Sequence, residues 1–214
     1  MDALVHIVDD DDAVRDSLRC LLETIPVDCA EYASGHAFVD RSRTPHSGCV
    51  LLDLRIPDMS GLAVQRAICQ TDPHLPIIFM SGYGDVAATV EAMRGGAVHF
   101  LEKPVDDDLL IATVREAIDD SQAMMAERRQ SDEARARLGR LTPREVDVMD
   151  EVVAGWSNKH IARRLDISPK TVELHRANVM HKMSAGSLAE LVRLHLTATG
   201  ASPTAMENRG PARP

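Results

Sequence analysis

Short apolar runs alternate with stretches of helical periodicity through the first half of the chain. Residues 3–8 form a β-like run that ends in acids. Residues 14–22 carry apolar side chains at 14, 18, 21 and 22, the spacing of one helical face. A weaker strand is predicted over 29–33, a short helix over 35–41 and a loop over 44–48. Residues 49–54 are continuously apolar up to Asp53, as expected of a strand covered on both faces. A helix over 61–70 and a strand over 76–80 follow, then the turn-rich Ser81-Gly82-Tyr83-Gly84. A helix over 85–94 stops at Gly95-Gly96, a fifth strand covers 98–102, and a last helix runs from about 105 to about 126. Five strands alternating with five helices predict an α/β fold, a doubly wound five-stranded parallel sheet of flavodoxin-like type.

The second half has a different grammar. Thr142-Pro143-Arg144-Glu145 combines an N-cap Thr, a Pro at the first helical position and a Glu at the third, a capping box. Ser187-Leu188-Ala189-Glu190 reads as a second box, and Ser157 and Ser168 as further N-caps. Residues 142–197 therefore predict four short helices, a small all-α domain. The stretch 121–140 is rich in Ala, Glu, Arg and Gln and poor in bulky apolar groups; it predicts a helical linker without a core of its own. The domain division expected is 1–120, a linker over 121–138, 139–200, and a disordered Pro/Gly/Ala/Ser/Thr-rich tail over 201–214.

Charge sharpens this division. The net charge is −9, but residues 1–120 hold 22 acids against 9 bases, and residues 121–214 hold 11 against 15. An acidic module repels nucleic acid and a mildly basic one can approach it. With 44% hydrophobic but only 3% aromatic residues, the cores must be aliphatic. No apolar run nears the ~20 residues of a membrane span, and the N-terminus carries no basic n-region or long apolar stretch, so neither membrane insertion nor a secretory signal is expected. Cys20, Cys29, Cys49 and Cys69 form no CxxC pair. They read as four small buried thiols in a reducing cytoplasm rather than a zinc site.

The chemistry concentrates at predicted strand ends. Asp9-Asp10-Asp11-Asp12 follows the first strand and Asp53 ends the third. In a parallel doubly wound sheet all strand C-termini share one edge, so Asp9, Asp10 and Asp53 should converge there. Asp11 and Asp12 read instead as acids favoured by the start of the first helix. Clustered carboxylates repel unless a cation sits among them, and hard oxygen donors with several waters suit Mg²⁺. Ser81 and Lys103, at the ends of strands four and five, add a hydroxyl and an ammonium. The set suits a phosphoryl group, with a carboxylate as nucleophile. Lys103-Pro104 is a position where a cis peptide is allowed.

In the second half, a helix over 169–183 places Val172, His175, Val179 and Met183 on one face and leaves Lys170, Glu173, Leu174, Ala177, Asn178 and His181 elsewhere. The short turn Leu165-Asp166-Ile167-Ser168 before it makes a helix-turn-helix, whose second helix enters the major groove of double-stranded DNA. Lys170 and Arg176 can contact phosphate or guanine, and Asn178 can pair with adenine. Lys159, Arg163, Arg164 and Lys182 supply backbone charge. His175 and Trp156 read as packing residues.

Residues 3–120 resemble the receiver domain of bacterial response regulators. The resemblance rests on Val8-Asp9-Asp10, on the run from Leu51-Leu52-Asp53 through Pro57-Asp58-Met59-Ser60-Gly61, on Met80-Ser81-Gly82 and on Phe100-Leu101-Glu102-Lys103-Pro104. Residues 139–197 resemble the LuxR-type (LuxR/NarL class) DNA-binding domain, through Leu141-Thr142-Pro143-Arg144-Glu145, Gly155-Trp156-Ser157-Asn158-Lys159-His160-Ile161-Ala162 and Ser168-Pro169-Lys170-Thr171-Val172-Glu173-Leu174-His175-Arg176. The two-domain layout is most similar to FixJ-type transcriptional regulators. The resemblance implies that Asp53 accepts a phosphoryl group from a sensor histidine kinase. Asp9 and Asp10 would form the acid pocket, and the Arg55 carbonyl would join Mg²⁺. Ser81, Lys103 and the rotating aromatic Phe100 would sense the phosphate. It further implies a homodimer on phosphorylation with Val90 and Arg94 near its centre, and Thr171, Glu173, Leu174 and Ala177 at DNA-facing positions; RNA polymerase is a further partner. A rival enzyme reading, an acyl-phosphate-forming hydrolase, expects a second Asp two residues after the first; Arg55 stands there.

Overall fold

The computed structural model describes residues 3–41, 47–82 and 86–200, and divides into two compact units, Met1–Ala126 and Glu127–Pro214. The tail over 201–214, Tyr83 and Gly84 of the expected turn, and residues 44–46 of the expected loop lie outside the described residues.

In the first unit, β1 (Ala3–Val8), β2 (Val27–Tyr32), β3 (Gly48–Asp53), β4 (Ile77–Ser81) and β5 (His99–Glu102) form one parallel sheet in the order β2-β1-β3-β4-β5. Strand alternation explains the unbroken apolar runs. Val5, Ile7, Cys49, Leu51, Ile78 and Met80 point into one core, while Val8, Val50, Leu52, Ile77 and Phe79 point into the other. Helices α1 (Asp12–Leu22) and α5 (Asp107–Leu138) cover the first face through residues such as Leu22, Leu110 and Val114. Helices α2 (Gly35–Val39), α3 (Gly61–Thr71) and α4 (Val86–Arg94) cover the second through Phe38, Val64, Ile68 and Ala92. The order reverses between β1 and β3, which puts the crevice for a ligand outside the C-termini of those two strands. β2, at the sheet edge, alternates half-buried and exposed residues and begins two residues earlier than its apolar signal.

Helix α5 runs on through the stretch expected as a linker, and the boundary between the units falls within it. In the first unit Ser121 is buried and accepts a hydrogen bond from the Gly48 N–H at 3.1 Å. In the second unit Ala134 is buried and Leu138 packs beside it, so this poorly apolar segment does contribute to a core. That core is otherwise built by α6 (Pro143–Val153), α7 (Asn158–Leu165), α8 (Pro169–Met183) and α9 (Leu188–Thr199). The box at Thr142 is complete: its hydroxyl accepts from the Glu145 N–H, and the Glu145 carboxylate accepts from the Thr142 N–H at 2.8 Å. The one expected at Ser187 is half-formed. Its hydroxyl accepts from the Glu190 N–H, but the Glu190 carboxylate takes the Gly186 N–H at 2.9 Å instead.

The expectation of four buried thiols is corrected. Cys49 is buried and Cys29 half-buried, but Cys20 and Cys69 are exposed. Cys20 stands about 200° around α1 from Leu18, off the face that enters the core. All four are free. The Lys103–Pro104 peptide is cis.

Candidate functional site

The strand ends carry the carboxylates to one edge. Lys103, just past β5, places its Nζ 2.6 Å from Asp9 Oδ2 and 3.0 Å from Asp53 Oδ1. Burial works against this ammonium, but its hydrogen bonds to Asp9 and Asp53 prevail and raise its pKa above that of an ordinary Lys. The second oxygen of each acid is also engaged. Asp9 Oδ1 accepts from the Asp11 N–H at 3.0 Å, and Asp53 Oδ2 from the Arg55 N–H at 3.1 Å. Both carboxylates are buried, so their negative charge is gathered around one cation in a confined space.

Gly61 makes the crowding possible. A Cβ there would meet the Asp53 carbonyl at 2.4 Å, Phe79 at 2.9 Å and Leu54 Cα at 3.0 Å, so only glycine lets α3 start this close to β3. Beside it, Asp58 accepts from the N–H groups of Gly35 and His36 and sits 2.6 Å from His36 Nδ1, tying the loop after β3 to the first turn of α2. These bonds, with the backbone N–H of His36 first, hold the Asp58 carboxyl well below the usual carboxylate range.

The other predicted residues fall as follows. Ser81 is buried at the end of β4, and its hydroxyl donates to the Gly82 carbonyl at 2.9 Å rather than to Asp53. Phe100 is half-buried against the core and stacks with Phe79 at 6.2 Å between ring centroids. Asp10 is exposed, and among the described residues no three His, Cys, Asp or Glu side chains stand close enough to hold a metal together. The arrangement is thus a pair of buried carboxylates around an ammonium, with the exposed Asp10 following Asp9 in the chain. Mg²⁺ keeps most of its waters and needs only one or two carboxylates, so the donor set fits such an ion. Val90 and Arg94 are exposed on α4, as are Met93 and, at 74%, Val86. Sequence reasoning missed Arg15. This residue of α1 is only 9% exposed and donates to the Asp9 carbonyl at 2.6 Å.

In the second unit, Val172, Val179 and Met183 of α8 are buried and His175 is half-buried, as the periodicity predicts. Lys170, Glu173, Leu174, Ala177, Asn178 and His181 form an exposed stripe, with Leu174 at 61%. Lys159 is exposed on α7, and Thr171 is half-buried with its hydroxyl 2.8 Å from Ser168 Oγ. Two predicted contacts are engaged internally. Arg176 donates to Asn158 Oδ1 at 3.0 Å, and Lys182 donates to the buried Glu145 at 2.6 Å. The buried carboxylate draws Lys182 inward, while a third of its side chain stays exposed. Glu145, read from sequence only as a cap, has its pKa lowered to about 2, first by Lys182 and then by the Thr142 N–H. Trp156 packs against this core and stacks on His160, with centroids 4.0 Å apart.

Comparison with known proteins agrees with both halves. The response regulator receiver domain matches residues 5–115, and the luxR family of bacterial regulatory proteins matches residues 139–195. The chain is 45% identical to the transcriptional regulatory protein FixJ of Azorhizobium caulinodans, covering 91% of this chain and 92% of that protein. It is 40% identical to the tetrathionate response regulatory protein TtrR of Salmonella typhimurium, over 89% of this chain and 91% of the other. Among solved structures it is similar to the response regulator StyR, with TM-score 0.84 and 34% identity over 91% of this chain and 98% of that one. Full-length FixJ from B. japonicum has TM-score 0.56 and 42% identity over 94% and 98%. The chain belongs to the two-component response regulators that join a receiver domain to a LuxR-type DNA-binding domain. It is a transcription regulator of that class.

Proposed function

We propose that Asp53 is the phosphoacceptor, and that its phosphorylation by a sensor histidine kinase drives pairing of receivers and sequence-specific binding of double-stranded DNA. The observation that carries this reading is the Lys103 ammonium held between Asp9 and Asp53 at the C-terminal edge of the sheet. An Asp53 oxygen forms the new P–O bond as the phosphorus bond to the kinase histidine nitrogen breaks. Asp9 and Asp53, with Asp10 and the Arg55 carbonyl, would hold Mg²⁺, which when bound offsets charge on the transferring oxygens. Lys103 then exchanges its contact with the Asp53 carboxylate for one with the phosphoryl group. Phosphorylation adds roughly −1.5 to −2 charges and three acceptor oxygens, enough to draw in the Ser81 hydroxyl and leave room for Phe100 to turn. The exposed face of α4, with Val90 and Arg94, is the dimer surface of this reading.

Lys170, Glu173, Leu174, Ala177 and Asn178 are the proposed face toward the major groove, with Thr171, Arg176 and Lys159 flanking it. Two linked readers on adjacent half-sites raise apparent affinity through effective concentration. Action in the cytoplasm and contact with RNA polymerase follow from the same reading, as does the absence of a catalytic role. Turnover of a generic phosphomonoester would favour the hydrolase alternative.

The test is a titration of the full chain with a small-molecule phosphodonor and Mg²⁺, following mass, oligomeric state and DNA retention. The expected result is one phosphate adduct, dimers and tighter DNA binding, all lost in Asp53→Asn. An adduct that persists in the variant overturns the acceptor assignment.

A further inference from the structure

We infer that Arg15 is a positioning residue for the phosphoacceptor site, holding the first acid of the pocket in the attitude that receives a divalent cation. The inference rests on the proposed role of Asp9 and Asp53 and extends it to a side chain that makes no contact with either carboxylate.

Asp9 is 2% exposed and anchored along its whole length. Its N–H donates to the Tyr32 carbonyl at 3.2 Å, which continues the β1–β2 pairing by one residue. Its carbonyl accepts from Arg15 Nη1 at 2.6 Å, and Oδ1 accepts from the Asp11 N–H at 3.0 Å. Only Oδ2 faces the pocket, toward Lys103. Of these anchors, Arg15 alone ties the loop after β1 to a side chain from within α1. The guanidinium is itself fixed from one further side, where Nη2 pairs with Asp12, and Nε lies 3.9 Å from Glu31 of β2, near enough for charge attraction only. A planar five-donor fork can serve a carbonyl and a carboxylate at once; an ammonium cannot do so with the same geometry.

Removing that fork takes a strong donor from a buried carbonyl, and an unsatisfied buried carbonyl is costly enough to make the loop tip toward water. Tipping turns Oδ2 away from Asp53. Two physical effects then predict opposite signs. Coulomb attraction alone says that deleting a nearby positive charge tightens binding of a divalent cation. Loss of positioning says that it weakens binding, typically by about 10-fold where an outer partner orients a ligand.

The experiment is calorimetric titration of the full-length protein with Mg²⁺ alone, without phosphodonor, at a temperature where circular dichroism shows each variant folded. The expected result is roughly 10-fold weaker binding in Arg15→Met, intermediate binding in Arg15→Lys, and wild-type binding in Arg19→Met, which removes a neighbouring cation of the same helix paired with Asp16, Glu23 and Glu31 and not with Asp9. Should Arg15→Met fail to fold, Arg15→Lys carries the test, because it keeps the charge and loses the fork. Binding in Arg15→Met, or in Arg15→Lys where that variant stands in, as tight as or tighter than wild type overturns the inference. Absence of Mg²⁺ binding in the wild type instead overturns the site reading on which it rests.

Discussion

Glu145 and Lys182 lie 2.6 Å apart, across 37 residues of sequence, and join the first turn of α6 to the last turn of α8. The carboxylate is nearly solvent-free, with its side chain 4% exposed, whereas the ammonium is about one-third exposed. The pair fixes the helix that carries the proposed DNA-reading stripe, so its loss should be felt as stability before it is felt as recognition.

This separates two lysines on the same helix. Lys170 sits on the exposed stripe and Lys182 is engaged internally. Lys170→Ala should lower the dependence of log affinity on log salt by about 0.9, the share of one phosphate contact. Lys182→Met should leave that slope unchanged and lower the melting temperature. Salt titrations of DNA binding, with thermal melts beside them, distinguish the two.

The same pair sets an acid limit. The Glu145 pKa is lowered in the folded state to about 2 from an ordinary 4.5. The folded state therefore holds its proton less tightly than the unfolded chain, and stability rises with pH across that interval. The contribution is complete above about pH 4.5 and is lost as pH falls toward 2. Glu145→Gln should remove about 1–3 kcal/mol at neutral pH and flatten this part of the pH profile, measured by denaturant melts from pH 6 downward. An unchanged profile would show that the pair contributes nothing.

Gly61→Ala should disturb the site from behind. The added methyl meets the Asp53 carbonyl and Leu54 Cα, both backbone atoms that cannot swing aside. Overpacking of this kind costs typically about 1–3 kcal/mol. Here it should also slow Asp53 phosphorylation by a small-molecule donor, read by mass spectrometry against the melting temperature. A rate equal to wild type would mean that the loop absorbs the methyl without moving the acid.

Thiol labelling should follow burial. Cys20 and Cys69 are exposed and should react first, with Cys29 slower because burial and neighbouring acids raise its pKa. Cys49, fully buried and pushed up to about 12, should stay unmodified until denaturant is added. Two fast equivalents at pH 8 are expected; four would contradict the packing around β3.

The alternation of apolar runs and helical periods foretells the sheet well because β1, β3 and β4 are covered on both faces and are apolar but for His6 and the strand-end Asp53 and Ser81. The carboxylates were legible for a related reason. Acids directly after apolar strands, as at Asp9 and Asp53, have one edge on which to meet. What stayed hidden were pairings made through space. Arg15 looks like any charged helical residue until Asp9 is seen to need a donor. Glu145 advertises a cap and says nothing of Lys182. The extension of α5 past the expected linker start was unreadable as core because its buried residues, Ser121 and Ala134, are small and far apart in sequence. At Ser187 the box motif is present, yet Gly186 captures the glutamate.

The ammonium wedged between Asp9 and Asp53 has a consequence for how the molecule waits. A chain that needed a divalent ion to keep two buried acids together would lose its shape whenever that ion was scarce. Here a built-in counter-ion keeps the acids side by side without one, so a chelator should silence the receiver without unfolding it. Readiness then belongs to the polypeptide itself, and in the proposed function metal and phosphate would act only as the message.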